Sequence, residues 1–304
     1  MAILVAGTVA FDSVRTPFGA AERILGGSAA HFAVAASYFA PVRLIAVVGE
    51  DFGDEHLVPF RERGVDLAGL KRQAGKTFFW SGVYHDNLND RTTLETQLNV
   101  LADFDPVVPE AWRSTPVVFL ANVDPDLQAR VLDQVSRPAL VAADTMNFWI
   151  EGKPESLRRL LSRVDLLLVN DGEIRQLTGR FNLVEAAEAA RALGPSVVVV
   201  KRGEHGVLVF EGDAVFALPA FPLRRVVDPT GAGDAFAGGF LGAIAERIDR
   251  GERDWRRAAV LGSVLASYQV EAFSLDRIRR LGPEEIRDRF RAFQDLTRFG
   301  PLAD

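Results

Sequence analysis

The chain has no cysteine. Disulfides, thiolate zinc sites and thiol nucleophiles are therefore excluded. Histidine is scarce: the four residues His31, His56, His85 and His205 are scattered over 304 positions, none at HxxxH or HExxH spacing, which argues against a zinc enzyme. Long apolar runs are missing too; no stretch approaches the roughly 20 residues a membrane span requires. No basic segment precedes the first apolar run, and Asp12 follows soon after it, so the N-terminus reads as a core strand rather than an export signal. The expected location is the cytoplasm, with no membrane partner. Excess positive charge is also lacking. A net charge of −6 and a pI near 5.4 speak against a nucleic-acid partner. The basic runs Arg277–Arg280 and Arg287–Arg291 lie in an amphipathic stretch and read as a solvated helix face.

What is present is an ordinary globular composition, 48% hydrophobic and 25% charged, in a chain long enough to bury a large core without staples. Short apolar runs at Ile3–Gly7, Val42–Val48, Val117–Ala121, Ala139–Ala143, Leu166–Val169 and Val197–Lys201 read as buried strands. Helical stretches separate them: Ala29–Phe39, Glu55–Arg63, Asp124–Val135, Ser156–Arg163, Glu173–Thr178 and Val184–Leu193. Strands alternating with helices predict an α/β fold with a mostly parallel sheet covered on both faces. Thr77–Tyr84 and Thr92–Leu101, joined by a polar turn, interrupt the alternation as an antiparallel hairpin. Val207–Phe210 and Ala214–Ala217 form a second hairpin, and residues 231–247 and 254–269 read as two long helices. The extra strands of the N-terminal third lack helices to cover one face, so they are expected to cover a ligand or a second subunit.

The most informative segment is Asp228-Pro-Thr-Gly-Ala-Gly-Asp-Ala-Phe-Ala-Gly-Gly-Phe240. Pro229 and Gly231 set a tight turn. Gly231, Ala232 and Gly233 carry little or no side chain, so a ligand can approach their N–H groups. The small apolar run after Asp234 reads as a helix, which places those donors at a helix N-terminus, an anion site. Asp234 stands in the first turn of that helix. A capping role would explain it alone. A carboxylate beside an anion cradle also suits phosphoryl transfer, which needs both charge stabilisation and an acceptor-orienting base.

This segment resembles the C-terminal signature of the PfkB/ribokinase family, and the likeness runs over nearly the whole chain. The resemblance implies a single ribokinase-like domain over 1–304. Its fold would be a three-layer αβα sandwich with a mostly parallel central sheet and a small β lid from about 10–18 and 76–101. It implies an ATP-dependent kinase acting on an alcohol group of a sugar, or alternatively of a nucleoside, with Asp234 as catalytic base and Gly231, Ala232 and Gly233 as the anion hole. Gly26 and Gly27 match the motif that binds the sugar and hinges the lid, and Asp12 and Ser28 join them on the acceptor side. Val48-Gly-Glu-Asp-Phe-Gly53 matches a mostly structural stretch. Asn170-Asp-Gly-Glu173 matches a motif for magnesium and phosphate handling, with Glu173 reaching the metal through water. The nucleotide side would comprise Asn170, Lys201, Gly203, Gly206, Thr230, Ser263 and Ser267. Ala258–Phe273 matches the region that packs on the adenine and shapes a monovalent-cation (K+) site. A homodimer through the lid would cover its open face.

The chain departs from the family at two positions. His31 stands where Asn is usual and Ser28 where ribokinases carry a polar residue, often Lys, which speaks against ribose itself. Phe79, Trp80, Phe148 and Trp149 could stack on a base or sugar face, although core packing is the commoner use of such rings. Two other phosphate motifs fail. Gly75-Lys76-Thr77 has its upstream glycine at 69, one residue too early for a P-loop, and a strand follows. Gly231-Ala-Gly233 meets Phe236 where a dinucleotide fingerprint needs its third glycine.

Overall fold

A computed structural model describes residues 1–300. Strands β1 (Ile3–Ala6), β2 (Ala10–Thr16) and β3 (Gly19–Gly26) lead into helix α1 (Ser28–Ala36). Next come β4 (Val42–Val48), α2 (Val58–Glu62), β5 (Asp66–Arg72) and the hairpin β6 (Phe79–Tyr84)–β7 (Arg91–Gln97). The middle of the chain alternates: β8 (Val117–Leu120), α3 (Pro125–Leu132), β9 (Leu140–Asp144), α4 (Asn147–Gly152), α5 (Pro154–Leu161), β10 (Leu166–Asn170), α6 (Asp171–Thr178), α7 (Leu183–Arg191) and β11 (Val197–Lys201). The hairpin β12 (Val207–Glu211)–β13 (Ala214–Leu218) and helices α8 (Ala232–Ala245), α9 (Trp255–Gln269) and α10 (Pro283–Thr297) complete it.

Among the described residues, nine strands form one sheet in the order β13-β12-β11-β10-β9-β8-β1-β4-β5. It is parallel from β11 to β5, with β12 and β13 antiparallel at one edge. Parallel strands covered on both faces are apolar throughout, as Leu166–Val169 and Val197–Val200 show. Alternate residues feed two cores. Ile3, Val5, Phe119 and Leu168 meet α1, α8 and α9; Leu4, Ala6, Leu120 and Val169 meet α3, α5 and α7. That is the three-layer αβα arrangement expected.

Helix α8 is wedged between α1 and α9, and its small residues are the reason. A methyl on Gly238 would lie 2.6 Å from the Ala35 Cβ, and one on Gly239 2.7 Å from the Leu261 carbonyl oxygen. Hence Ala-Gly-Gly is buried all round, and the position of its N-terminus is set by the core rather than by a loop.

The second sheet, β3-β2-β6-β7, is built from the segments expected to form the lid and keeps that label below. It draws on residues 10–26 and 79–97, so its first part runs further than the expected 10–18. Strands β3 and β5 escaped the sequence reading because they are short of β-branched residues and largely exposed. The second half of the expected strand 92–101 is a 3₁₀ turn at Asn99–Leu101. One expectation is corrected: the basic C-terminal runs are only partly solvated. Arg289 stacks 3.4 Å above the Tyr268 ring and pairs with Glu271 at 2.8 Å, and Arg277 pairs with Glu271 at 3.1 Å. Arg287 and Arg291 do face solvent.

Candidate active site

The site is built on the N-terminus of α8. Gly231 precedes the helix with φ 75°, a left-handed conformation, and the His31 ring occupies the space a Cβ there would need. The turn is held by Thr230 N–H donating to Asp228 Oδ1 at 2.9 Å and Ala232 N–H donating to the Pro229 carbonyl at 3.2 Å. The remaining first-turn donors have no partner within the helix and carry its positive dipole end. The Lys201 ammonium adds a full charge. Its Nζ lies 3.2 Å from where a Gly233 side chain would begin, so glycine leaves the amine and backbone side by side, while a methyl there would push the amine aside by a few tenths of an ångström.

Asp234 sits within this cradle, and its carboxyl is pushed from 3.8 up to about 7 by burial and then by Asp144, against the pull of Lys201 and Arg91. Asp12, on lid strand β2, is likewise pushed up to about 7, by burial first and then by Asp228 and Asp234. The two carboxylates therefore sense each other across one site. Asp12 packs directly on Gly26, where any Cβ would collide with its carboxyl. Gly27, with φ 98°, lets the chain pass the Thr8 carbonyl and enter α1.

Lys201 ends β11 and Asp144 ends β9, and they pair across the end of β10 at 2.6 Å. Burial alone would depress the Lys201 ammonium, but Asp144, Glu173 and Asp234 hold its pKa above the ordinary value. Asn170 and Glu173 form a capping box at the start of α6. The Asn170 Oδ1 accepts from the Glu173 N–H and the Glu173 Oε2 from the Asn170 N–H, both at 2.7 Å. The Glu173 carboxyl is raised to about 7 by burial and by Asp144. Arg91, at the start of lid strand β7, lies close enough to lower both Asp234 and Glu173.

Beside the cradle opens a cavity of about 460 Å³. Lys201, Gly203, Gly206, Ala232, Gly233, Ser263 and Ser267, all assigned to the phosphate or nucleotide side from sequence, line it together. Phe221, Val226 and Ala266 supply apolar wall, and the lid turn Asn87–Asn89 closes one side. There the Asn89 Nδ2 donates to Glu204 Oε1 at 3.1 Å.

Four assigned residues sit elsewhere. Thr230 lies under the cradle, its hydroxyl donating to the lid Tyr84 hydroxyl at 3.4 Å and its carbonyl accepting from Gln269. The Ser28 hydroxyl is committed to the Asn122 carbonyl (3.1 Å) and to Thr8, which makes it a brace for the β1 exit rather than a free donor. Asn170 and Glu173 are satisfied by each other, at the edge of the Asp144–Lys201 pair.

Sequence reasoning missed Asp144, Arg91 and Gln269. Asp144 had a legible signal: a lone acid at the carboxyl end of a parallel strand, where open α/β sheets bind ligands. Arg91 had none, because only lid folding brings it to α8.

An anion cradle with a half-buried acid in its first turn, a cavity on one side and a carboxylate-bearing lid on the other defines an alcohol-phosphorylating α/β enzyme. Comparison with known proteins agrees. The pfkB family carbohydrate kinase model matches residues 6–277, and the chain belongs to that family. It is 31% identical over 244 residues to a cytidine kinase of Thermococcus kodakarensis, covering 79% of this chain and 87% of that one. Burkholderia thailandensis nucleoside kinase in complex with inosine superposes with a TM-score of 0.75 at 21% identity, covering 95% of this chain and 98% of the other. Arabidopsis thaliana ribokinase complexed with ribose and ATP superposes at 0.77 with 20% identity, covering 95% and 98%. The protein is thus a PfkB-type kinase. Among the described residues no helix is long and apolar enough to cross a membrane.

Proposed function

We propose that this kinase transfers the γ-phosphate of ATP to a sugar hydroxyl of a nucleoside. The observation that carries the acceptor class is the register of the lid: Asp12 on β2 pairs with Trp80 on β6. A carboxylate for ribose hydroxyls thus shares its register with Trp80, whose indole lies over Gly82 and would offer a base its face. The likeness to a cytidine kinase supports the same choice. A free sugar is the second reading: the Asp12 carboxylate, held against Gly26, can equally bind hydroxyls of an acceptor that carries no base.

In this reading the adenine enters the apolar wall by Phe221 and Val226, and the phosphates run along Lys201 toward the first turn of α8. Those donors and the ammonium stabilise the charge that spreads over the transferring group; one preorganised donor contributes roughly 3 kcal/mol. Asp12 fixes the acceptor. Asp234 orients the reacting hydroxyl and accepts its proton, which a carboxyl near 7 can do at neutral pH. The lid excludes water, the competing acceptor.

Magnesium is part of this proposal and supplies charge neutralisation on the phosphates. Among the described residues no three metal-ligating side chains gather, so the protein's share would be water-mediated contact with Glu173. The proposal includes a homodimer through the lid, where β7 offers an exposed edge strand; sedimentation reads it directly. The acceptor is tested by ADP release with MgATP against nucleosides and free sugars, with Asp234→Asn as blank. Turnover on a nucleoside that vanishes in the variant is expected. Turnover on free sugars alone would overturn the nucleoside reading.

A further inference from the structure

The Lys201 ammonium has three carboxyls around it and is paired with one. Asp144, Glu173 and Asp234 all raise its proton affinity, yet among the described residues its ion pair is with Asp144 alone, at 2.6 Å. Asp234 is a close competitor, because the ammonium sits 3.2 Å from where a side chain on the preceding residue, Gly233, would begin. A flexible lysine stem allows either choice.

The partner it takes is the rigid one. Asp144 ends β9 with its side chain 5% exposed. Its Oδ1 accepts from the Thr145 N–H at 2.8 Å, which leaves Oδ2 for the ammonium. The strand end is itself stapled from α3. There the buried Gln128 donates from Nε2 to the carbonyls of Leu120, Ala121 and Asp144, at 3.0, 2.9 and 3.0 Å, and so fixes the ends of β8 and β9 to each other. The Glu173 carboxyl is occupied by the Asn170 N–H. Among the described residues Asp234 enters no ion pair. This division matters chemically. A carboxylate locked to an ammonium is a weaker base, and an ammonium locked to the base is lost to the phosphates.

We propose that Asp144 is a positioning residue: it holds the Lys201 ammonium at the end of β9, where the phosphates can meet it, and thereby keeps the Asp234 carboxylate out of an ion pair and open to the acceptor hydroxyl. This rests on the reading of Asp234 as the base. The groups facing Asp234 are Asp144 from β9, Lys201 from β11, Arg91 from lid strand β7 and Asp12 from lid strand β2. Glu173 from α6 faces Asp144 and Lys201. Asp144 pushes the Asp234 carboxyl up, whereas Lys201 and Arg91 pull it down. Neutralising Asp144 therefore removes the push and also frees the ammonium to turn toward Asp234.

The test follows the Asp234 carboxyl by NMR in the whole enzyme, isotopically labelled at its aspartates; its resonance is the one that Asp234→Asn removes. The wild type should titrate at about 7. Asp144→Asn keeps the size of the side chain and should titrate lower by about one pH unit or more, and the acid limb of kcat/KM should move with it. In the Lys201→Gln background the same substitution should shift Asp234 far less, since no ammonium is left to turn. Equal shifts in the two backgrounds would mean that Asp144 acts on Asp234 directly, and would overturn the proposal. So would an unmoved midpoint in Asp144→Asn, the result expected of a merely structural residue. Lys201→Gln alone decides the matter even where Asp144→Asn does not fold. It should move Asp234 by less than about half a pH unit, because the wild-type ammonium is committed to Asp144; a rise of about one unit or more would show the base already paired with Lys201 and would sink the proposal. The titration needs no turnover. Full activity of Asp234→Asn would instead sink the base reading, with the pairing still read from the resonance.

Discussion

Lys201 Nζ and Asp144 Oδ2 lie 2.6 Å apart, the ends of two strands joined over the strand between them. Both side chains are mostly removed from water, so the pair matters chiefly when broken. Asp144→Ala leaves the ammonium without its nearest counter-ion and should cost about 3 kcal/mol or more in urea unfolding. Replacing both residues, as Asp144→Leu with Lys201→Met, should restore most of that stability and none of the activity. A single variant as stable as the wild type would show the pair to be dispensable.

Asp234→Asn should lower kcat by about a hundredfold or more, the usual share of a positioned base. Nucleotide affinity, measured by calorimetry, should hold. Asp12→Asn should instead raise the acceptor KM well above any change in the ATP KM, because Asp12 faces the lid side of Asp234. Equal effects on both KM values would remove Asp12 from the acceptor site.

The pH behaviour follows from carboxyls raised from 3.8 to about 7 at Asp12 and Asp234. The base must be ionised, so kcat/KM should fall as pH drops below about 7. Stability runs the other way. The folded state holds these protons more tightly than the unfolded chain, so their contribution is intact below about 4 and is lost as pH rises to about 7. The ligand-free enzyme should melt lower at pH 8 than at pH 5.5, and Asp234→Asn should flatten that slope. A melting temperature that climbs over the interval would contradict the burial of these groups.

Gly231→Ala should be among the most damaging small substitutions. It combines a left-handed φ of 75° with a methyl driven into the His31 ring. Strain of this kind costs of order 1–3 kcal/mol, and the cradle would shift with it. We expect turnover to fall more than protein stability, read by comparing kcat with the urea midpoint.

The lid tip offers a gentler test. The Asn89–Glu204 hydrogen bond is exposed and worth about 1 kcal/mol. Asn89→Ala should raise the ATP KM severalfold with little change in stability. An unchanged KM would mean that lid docking and nucleotide binding are independent.

The sequence by itself determined the αβα alternation, the hairpin lid and the cradle. Each of these is local: apolar runs of strand length, a polar turn between two strands, and Gly-Ala-Gly-Asp ahead of a helix of small residues. The close helix contacts of Gly238 and Gly239 came only with the fold; the sequence showed them just as part of a small apolar run. Only the tertiary structure decided what surrounds the cradle. Asp144, Arg91, Gln269 and His31 come from four distant segments, and no spacing along the chain connects them. Asp144 helps set the charge of Lys201, Arg91 reaches Asp234 from an exposed strand, and Gln269 and His31 are buried behind the turn. Capping pairs such as Asn170–Glu173 show the limit from the other side. The same two residues satisfy a local helix start and face a distant charged pair, and the local pattern alone could not say which of the two mattered to the site.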